Sequence, residues 1–366
     1  MNNRTSRTLR SALRLAATTL LGSCAFVSLP LATLHAAPAA PAYSVIARFP
    51  VKVEGVPYYD YLRADDAARR LYITLGKTVA VLDLDSGKQV GEITGLSRAH
   101  GVAISPDTGH GFATSGQDNK VIMFDTKTLA TLKTIDSTGS GPDGIEYDPG
   151  TKRIYVANHG SGQVTVIDPA DGSVVGTVAF EKGDTLEGLA FDGRGHGFVN
   201  AEKQSTVLVF DLATLKPLAR WPVAPNQGGT GLACDPVTHR LFSATNDSNK
   251  MTVLDSDTGK VITSLPTGED ADAIGFNPAL KRIYVPGNPD GTLTIIQQNS
   301  ADDYTVLQTV ATKRGCRAVT LDYKTGNALT AAPDYGPAPA PVKGSPKAPR
   351  PVVKPGTFEA LVVGTK

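Results

Sequence analysis

Short runs of β-branched and aromatic residues alternate along this chain with clusters of Gly, Pro, Asn and Asp. The stretch 152–178, K-R-I-Y-V-A-N-H-G-S-G-Q-V-T-V-I-D-P-A-D-G-S-V-V-G-T-V, shows the pattern most plainly. Its first run, 154–157, alternates large and small apolar residues before N-H-G-S-G turns the chain. A second run, 164–167, ends at Asp168, and D-P-A-D-G turns the chain again into a third run at 174–178. G-I-E-Y-D-P-G, just upstream, supplies a fourth. Val, Ile, Thr and Tyr fit a pleated, half-buried surface, and the intervening residues supply turn geometry, so four short antiparallel strands are predicted. A sheet of that size cannot bury its own faces and needs copies of itself as neighbours.

The copies are present. The same pattern restarts at Asp60, His100, Asp143, Glu187, Thr230, Asp272 and Arg317, at spacings of 40, 43, 44, 43, 42 and 45 residues. A period of about 40–45 residues with four strands per unit predicts an all-β, seven-bladed β-propeller. The run 43–51 lies outside the repeat frame and reads as the outer strand of a blade, whereas 357–363 reads as a third strand. The last blade therefore lacks an outer strand, which the N-terminal run is expected to supply, closing the ring. This makes 43–366 one domain, preceded by a short linker at 37–42.

The phrase I-Y-V-A-N-H-G-S-G-Q-V-T-V-I-D resembles the repeat of the YVTN-type β-propellers, the YncE-like group of secreted bacterial proteins. The resemblance covers almost all of the chain beyond residue 36. It implies the fold rather than an activity, because the motif residues are structural. Units two and four depart from it with H-G-F-A-T and H-G-F-V-N, and unit six ends its third strand at Gln297 instead of Asp. WD40 repeats fit less well, since no Trp precedes the strand-end aspartates Asp83, Asp125, Asp168, Asp211 and Asp255. Those aspartates, with Asp148 and Asp235, are expected to accept backbone N–H bonds within their turns.

Residues 1–36 have the form of an export signal. Arg4, Arg7, Arg10 and Arg14 precede an uncharged apolar run, and small residues follow at Ala36 and Ala37. L-G-S-C, ending at Cys24, also resembles a lipoprotein cleavage box, although the residues after it stay apolar. The expected destination is the periplasm or the exterior, with no membrane span in the mature chain and a monomeric state. Of 36 basic and 35 acidic residues, the leader removes four arginines, leaving 32 against 35. Such a balance does not coat nucleic acid by bulk charge. One insertion, 333–355, is rich in Pro and carries Lys343, Lys347, Arg350 and Lys354. It could serve as an extended basic arm for nucleic acid or another envelope polymer, or as a solvated loop. Cys234 and Cys316 fall in different blades at opposite ends of their strands, too far apart for a disulfide, and are expected as free thiols.

Residues just before each inner strand of a propeller converge on one mouth of the central channel. Asp60, His100, Asp143, Glu187, Asp272 and Arg317 are thus candidate ligand-binding residues, with Thr230 in the seventh place. His159, in the N-H-G-S-G loop on the same face, is expected to stand further out with Lys203 and Asp247. Clustered carboxylates repel unless protonated, paired or bound to a cation. Asp60, His100, Asp143 and Glu187 would suit Ca²⁺, Mg²⁺, Mn²⁺ or Zn²⁺, although no cofactor follows from a motif. His110, His196 and His239 begin second strands away from the mouth. G-S-G-P-D-G, ending at Gly144, matches a dinucleotide fingerprint by letters but precedes a strand, with no helix to face a phosphate.

Three function classes stay open. The first is a binding or scaffold module holding a small ligand or protein of the cell envelope at the mouth. The second is a metal-assisted lactonase-like hydrolase or lyase, with Asp60, Asp143 and Glu187 as ligands and His100 as acid or base. The third is nucleic-acid or envelope-polymer binding through the basic arm.

Overall fold

A computed structural model describes residues 42–55, 58–339 and 351–365. The leader, and with it Cys24 and the export signal, lies outside the described residues, as do Lys343, Lys347 and Arg350 of the basic insertion. Among the described residues twenty-eight strands form seven four-stranded antiparallel sheets. Six sheets are built from consecutive strands, one repeat each, and the seventh joins the two ends of the chain. There the N-terminal strand Tyr43–Pro50 pairs with Glu359–Thr365, which pairs with Asn327–Ala332 and then with the inner strand Thr320–Asp322. The outer strand of the last blade is thus the first strand of the domain. Among the described residues no helix is long and apolar enough to cross a membrane.

The core lies between blades. Each second strand carries one large apolar residue at the same repeat position: Tyr72, Phe112, Tyr155, Phe198, Phe242 and Tyr284 are all fully buried, with Leu329 in the last blade. Each packs against the face of a neighbouring blade, as Tyr72 does with Val102, Ala113 and Phe124 of the second blade. Tyr155 likewise packs with Leu189, Val199 and Phe210 of the fourth. The strand-end aspartates hold the outer turns. Asp125 Oδ1 accepts from the backbone N of Lys127 and Thr128, and Asp211 and Asp255 repeat the arrangement. Where unit six has Gln297, its amide donates to the carbonyls of Leu280 and Lys281 instead.

Inner strands meet closely around the axis. In blades two to five the inner strand carries one extra residue opposite its partner, at His100-Gly101, Asp143-Gly144, Glu187-Gly188 and Thr230-Gly231. A β-bulge re-aims the side chain it carries. The glycine is demanded by proximity: a Cβ on Gly144 would stand 2.6 Å from the Glu187 carbonyl oxygen, and one on Gly188 2.6 Å from that of Thr230. Second-strand side chains of the preceding blade hold three of these four bulges. Thr74 Oγ1 donates to the His100 carbonyl, Thr114 Oγ1 to that of Asp143 and Asn200 Nδ2 to that of Thr230. Blades six and seven differ: their inner strands are reduced to Gly275–Asn277 and Thr320–Asp322, which leaves Asp272 and Arg317 on the preceding loops. Both thiols are free, as expected, with Cys316 buried and Cys234 half-buried.

The described ends of the 333–355 insertion are not loose chain. Tyr335 bridges Val353, and Lys354 donates its backbone N–H to the Asp334 carbonyl. Lys313 holds Asp334 at 2.8 Å, and the Tyr335 and Tyr59 hydroxyls lie 2.7 Å apart.

Closure by the first strand predicts an asymmetric response to truncation there. Tyr43 is buried against the sixth blade, its hydroxyl 3.3 Å from that of Tyr284, whereas Ile46 on the same strand is exposed. Tyr43→Ala is expected to lower the unfolding free energy by about 3–5 kcal/mol, the range for deleting a buried aromatic ring, and Ile46→Ala by under about 0.5 kcal/mol. Urea denaturation of the two variants checks this.

Candidate functional site at the mouth of the hub

The central channel holds two cavities. One, of about 420 Å³, opens at the end where the inner strands begin. The other, of about 410 Å³, follows further along the same strands and is lined largely by glycine and apolar residues such as Leu62, Val102, Leu189 and Leu232. Tyr61 lines both.

All seven sequence-derived candidates line the first cavity: Asp60, His100, Asp143, Glu187, Asp272, Arg317 and His159. Thr230 does not. Its hydroxyl is committed to the Ala271 carbonyl at 2.5 Å, so that repeat position serves blade packing. The outer positions need correcting by one residue. Glu202 and Asn246 stand beside His159 in the lining, rather than Lys203 and Asp247, and Asn246 Nδ2 donates to Glu202 Oε1 at 2.7 Å. In blades four and five the turn after the second strand places its first residue, Glu202 or Asn246, in the lining and leaves the second, Lys203 or Asp247, out of it.

Besides Glu202 and Asn246, the lining brings in side chains that were not anticipated, among them Tyr58, Arg98, Asp270, Tyr61 and Gln117. The first three stand two positions before Asp60, His100 and Asp272. All three lie outside strands, Arg98 and Asp270 at positive φ, so strand periodicity gave no signal for them and only their shared offset did. Tyr61 reaches across the axis, and its hydroxyl donates to Glu187 Oε2 at 3.0 Å. Arg98 does not offer its charge to a carboxylate but stacks over the Tyr58 ring, 4.9 Å from its centroid.

Contacts within the ring follow from blade adjacency. His100 Nδ1 lies 2.7 Å from Asp60 Oδ2 and 3.2 Å from Asp143 Oδ2. The Tyr58 hydroxyl donates to Asp60 Oδ2 at 3.0 Å. His159 Nδ1 lies 2.8 Å from Glu187 Oε1, without hydrogen-bond alignment. Arg317 Nε donates to Asp272 Oδ2, closing the gap between the last two blades. Asp143 is 9 % exposed, and its Oδ1 is buried with no hydrogen-bond partner.

These surroundings shift protonation. Burial, reinforced by the negative charges of Glu187, Asp60 and Asp272, drives the Asp143 carboxyl well above the usual carboxylate range. Burial also pushes Asp272 up to about 7, against the opposing pull of Arg317. Glu187 beside His159 raises the imidazole above its ordinary value. Burial raises the Tyr61 phenol far above its normal range, with Glu187 adding to the effect. The Arg317–Asp272 pair neutralises itself. Asp60, Asp143 and Glu187 have only histidines within ion-pair distance among the described residues. The arrangement can accept a cationic group, take up protons, or hold a metal ion through mixed nitrogen and oxygen donors.

Comparison with known proteins places the chain by fold. No family model matches. The uncharacterized protein YncE of Salmonella typhimurium is 22 % identical over 231 residues, which is 63 % of this chain and 53 % of that protein. YncE of Salmonella typhi matches to the same extent. The match thus spans about half the length of these relatives. Among solved structures, hydrazine synthase of Kuenenia stuttgartiensis superposes with a TM-score of 0.67 at 18 % identity, covering 76 % of this chain and 94 % of that one. The WD40 repeats of RRP9 superpose with a TM-score of 0.71 at 11 % identity, covering 88 % and 98 %. Likenesses at these identities carry the propeller architecture alone.

The raised carboxyls set a pH dependence. A carboxyl whose folded-state pKa exceeds its unfolded value binds more protons when folded, so its contribution to stability falls as pH rises between the two values. The raised His159 acts in the same direction: its stabilisation is present below the unfolded value and lost above the folded one. The melting temperature of chelator-treated protein is therefore expected to rise as pH is lowered through about 7. Asp143→Asn should flatten that slope and raise the melting temperature on the alkaline side. A calorimetric pH series that stays flat for the wild type, or is unchanged by the substitution, would contradict this account. Seven four-stranded blades in a closed ring make the chain a β-propeller protein, similar in sequence to the YncE proteins.

Proposed function

We propose that this protein is an exported binding module that seats a cationic group of its ligand or protein partner in the acidic mouth of the hub. One observation carries the reading. Three carboxylates from three blades, Asp60, Asp143 and Glu187, face one cavity without an Arg or Lys partner among the described residues, while Arg98 is stacked on Tyr58. A fold that kept them for stability alone would pair them, because buried unpaired charge is unfavourable. The rigid blades supply the frame, and the loops at the mouth supply the contacts, which is the usual division of labour in a propeller. The leader at 1–36 supports a destination in the cell envelope.

The test is retention of an envelope extract on immobilised full-length protein, compared with the double variant Asp143→Asn and Glu187→Gln. A component held by the wild type should be released by raised salt and lost by more than about tenfold in the variant, corresponding to at least about 1.4 kcal/mol. Equal retention by both proteins would remove the hub mouth as the binding site.

A further inference from the structure

We propose that the hub mouth binds divalent cations of the zinc or manganese class at two adjacent positions bridged by Asp143. This deepens the reading of the mouth as a cation-accepting site and rests on it. Asp60, His100 and Asp143 bring one donor atom each within 4.8 Å of one another, and so do Asp143, His159 and Glu187. Each set offers one imidazole nitrogen and two carboxylates, and Asp143 is common to both. The sets are near mirror images: an Asp–His pair on one side, a Glu–His pair on the other, and a shared carboxylate between.

Three features point to metal rather than to an acidic cluster alone. The donors already stand 2.7, 3.2 and 2.8 Å apart. Donors bound at about 2.0–2.2 Å to one tetrahedral ion are separated by roughly 3.3 Å, so little movement is needed to receive it. Mixed imidazole and carboxylate donors select zinc or manganese over calcium, which takes six to eight oxygens. Independently, Asp143 Oδ1 is buried and carries no hydrogen bond, although Oδ2 of the same group faces His100. A bridging carboxylate uses both of its oxygens, and a buried acceptor left unmet is unfavourable.

The outer contacts hold the donors in place. Tyr58 donates to Asp60, and Tyr61 donates to Glu187 Oε2, leaving Oε1 turned toward His159. Such hydrogen bonds fix the direction of a ligating carboxylate. With three protein donors per position, each ion keeps room for water or for a group of the ligand.

The experiment uses full-length protein made without a histidine tag, stripped with chelator and titrated with zinc by calorimetry, with metal content read by elemental analysis. The wild type should bind two equivalents per chain, and its melting temperature should rise on loading. His100→Gln and His159→Gln should each lose one equivalent, from opposite positions, and the His100→Gln, His159→Gln double variant should lose both. Asp143→Asn should lose both or weaken both by at least about 100-fold. If it fails to fold by circular dichroism, the histidine variants carry the test. Absence of saturable binding, a single equivalent in the wild type, or two equivalents in Asp143→Asn would overturn the proposal. Envelope retention measured on stripped and loaded protein separates the two readings. Loss of retention in the Asp143→Asn, Glu187→Gln variant with no zinc bound by the wild type removes the metal and leaves the binding module. Zinc binding with retention unchanged in that variant does the reverse.

Discussion

Seven inner strands that converge on one axis must pass closer together than ordinary side chains permit, and this crowding governs the molecule. In four blades the chain meets it with the same device, a bulge whose second residue is glycine. The glycine lets the next blade's backbone approach, with no room for even a methyl group. The bulge in turn throws the preceding side chain into the mouth. Packing and chemistry are therefore coupled: the contact that closes the hub also aims His100, Asp143 and Glu187 at one another. The identity of the aimed residue is free, since packing asks only for the glycine beside it. Thr230, which turns its hydroxyl to a neighbouring carbonyl instead, occupies the same place without contributing charge.

Electrostatics follows from that geometry. Burial desolvates the carboxylates, and their neighbours repel them, so Asp143 and Asp272 hold their protons far more tightly than exposed acids do. The fold relieves one of them with Arg317 and leaves the others facing histidines. Strain of this kind concentrates where a protein meets a ligand. The strand-end aspartates are a useful contrast. Asp125 and Asp211 lie in exposed turns, where the hydroxyl and backbone N–H of Thr128 and Thr214 donate to them, and their carboxyls sit below the usual range for that reason.

The blades were legible because the repeat period is a one-dimensional record of the ring. The restart positions marked the inner strands, and the two orphan runs at the ends marked the closure. Convergence of Asp60, His100, Asp143, Glu187, Asp272 and Arg317 followed from propeller geometry alone. What escaped were details set by backbone bends shorter than the repeat. A one-residue offset in the turns put Glu202 and Asn246 inward in place of Lys203 and Asp247. Tyr61 could not be found by period, since no other unit places an aromatic residue directly after the aimed position to reach across the axis. Nor does spacing reveal that Arg317 spends its charge on Asp272 while Asp143 goes without.

The seam of the ring carries a consequence for how the molecule is made. The strand Tyr43–Pro50 can pair only with Glu359–Thr365, more than three hundred residues downstream. Six blades can assemble from local segments as the polypeptide emerges, but the seventh waits until its tail is present, and closing so long a loop is the slow kind of event. A nascent chain thus stays an open arc, with one blade edge unsealed, until the strand Glu359–Thr365 is present. An architecture that latches last makes the seam, rather than any single blade, the step that completes the fold.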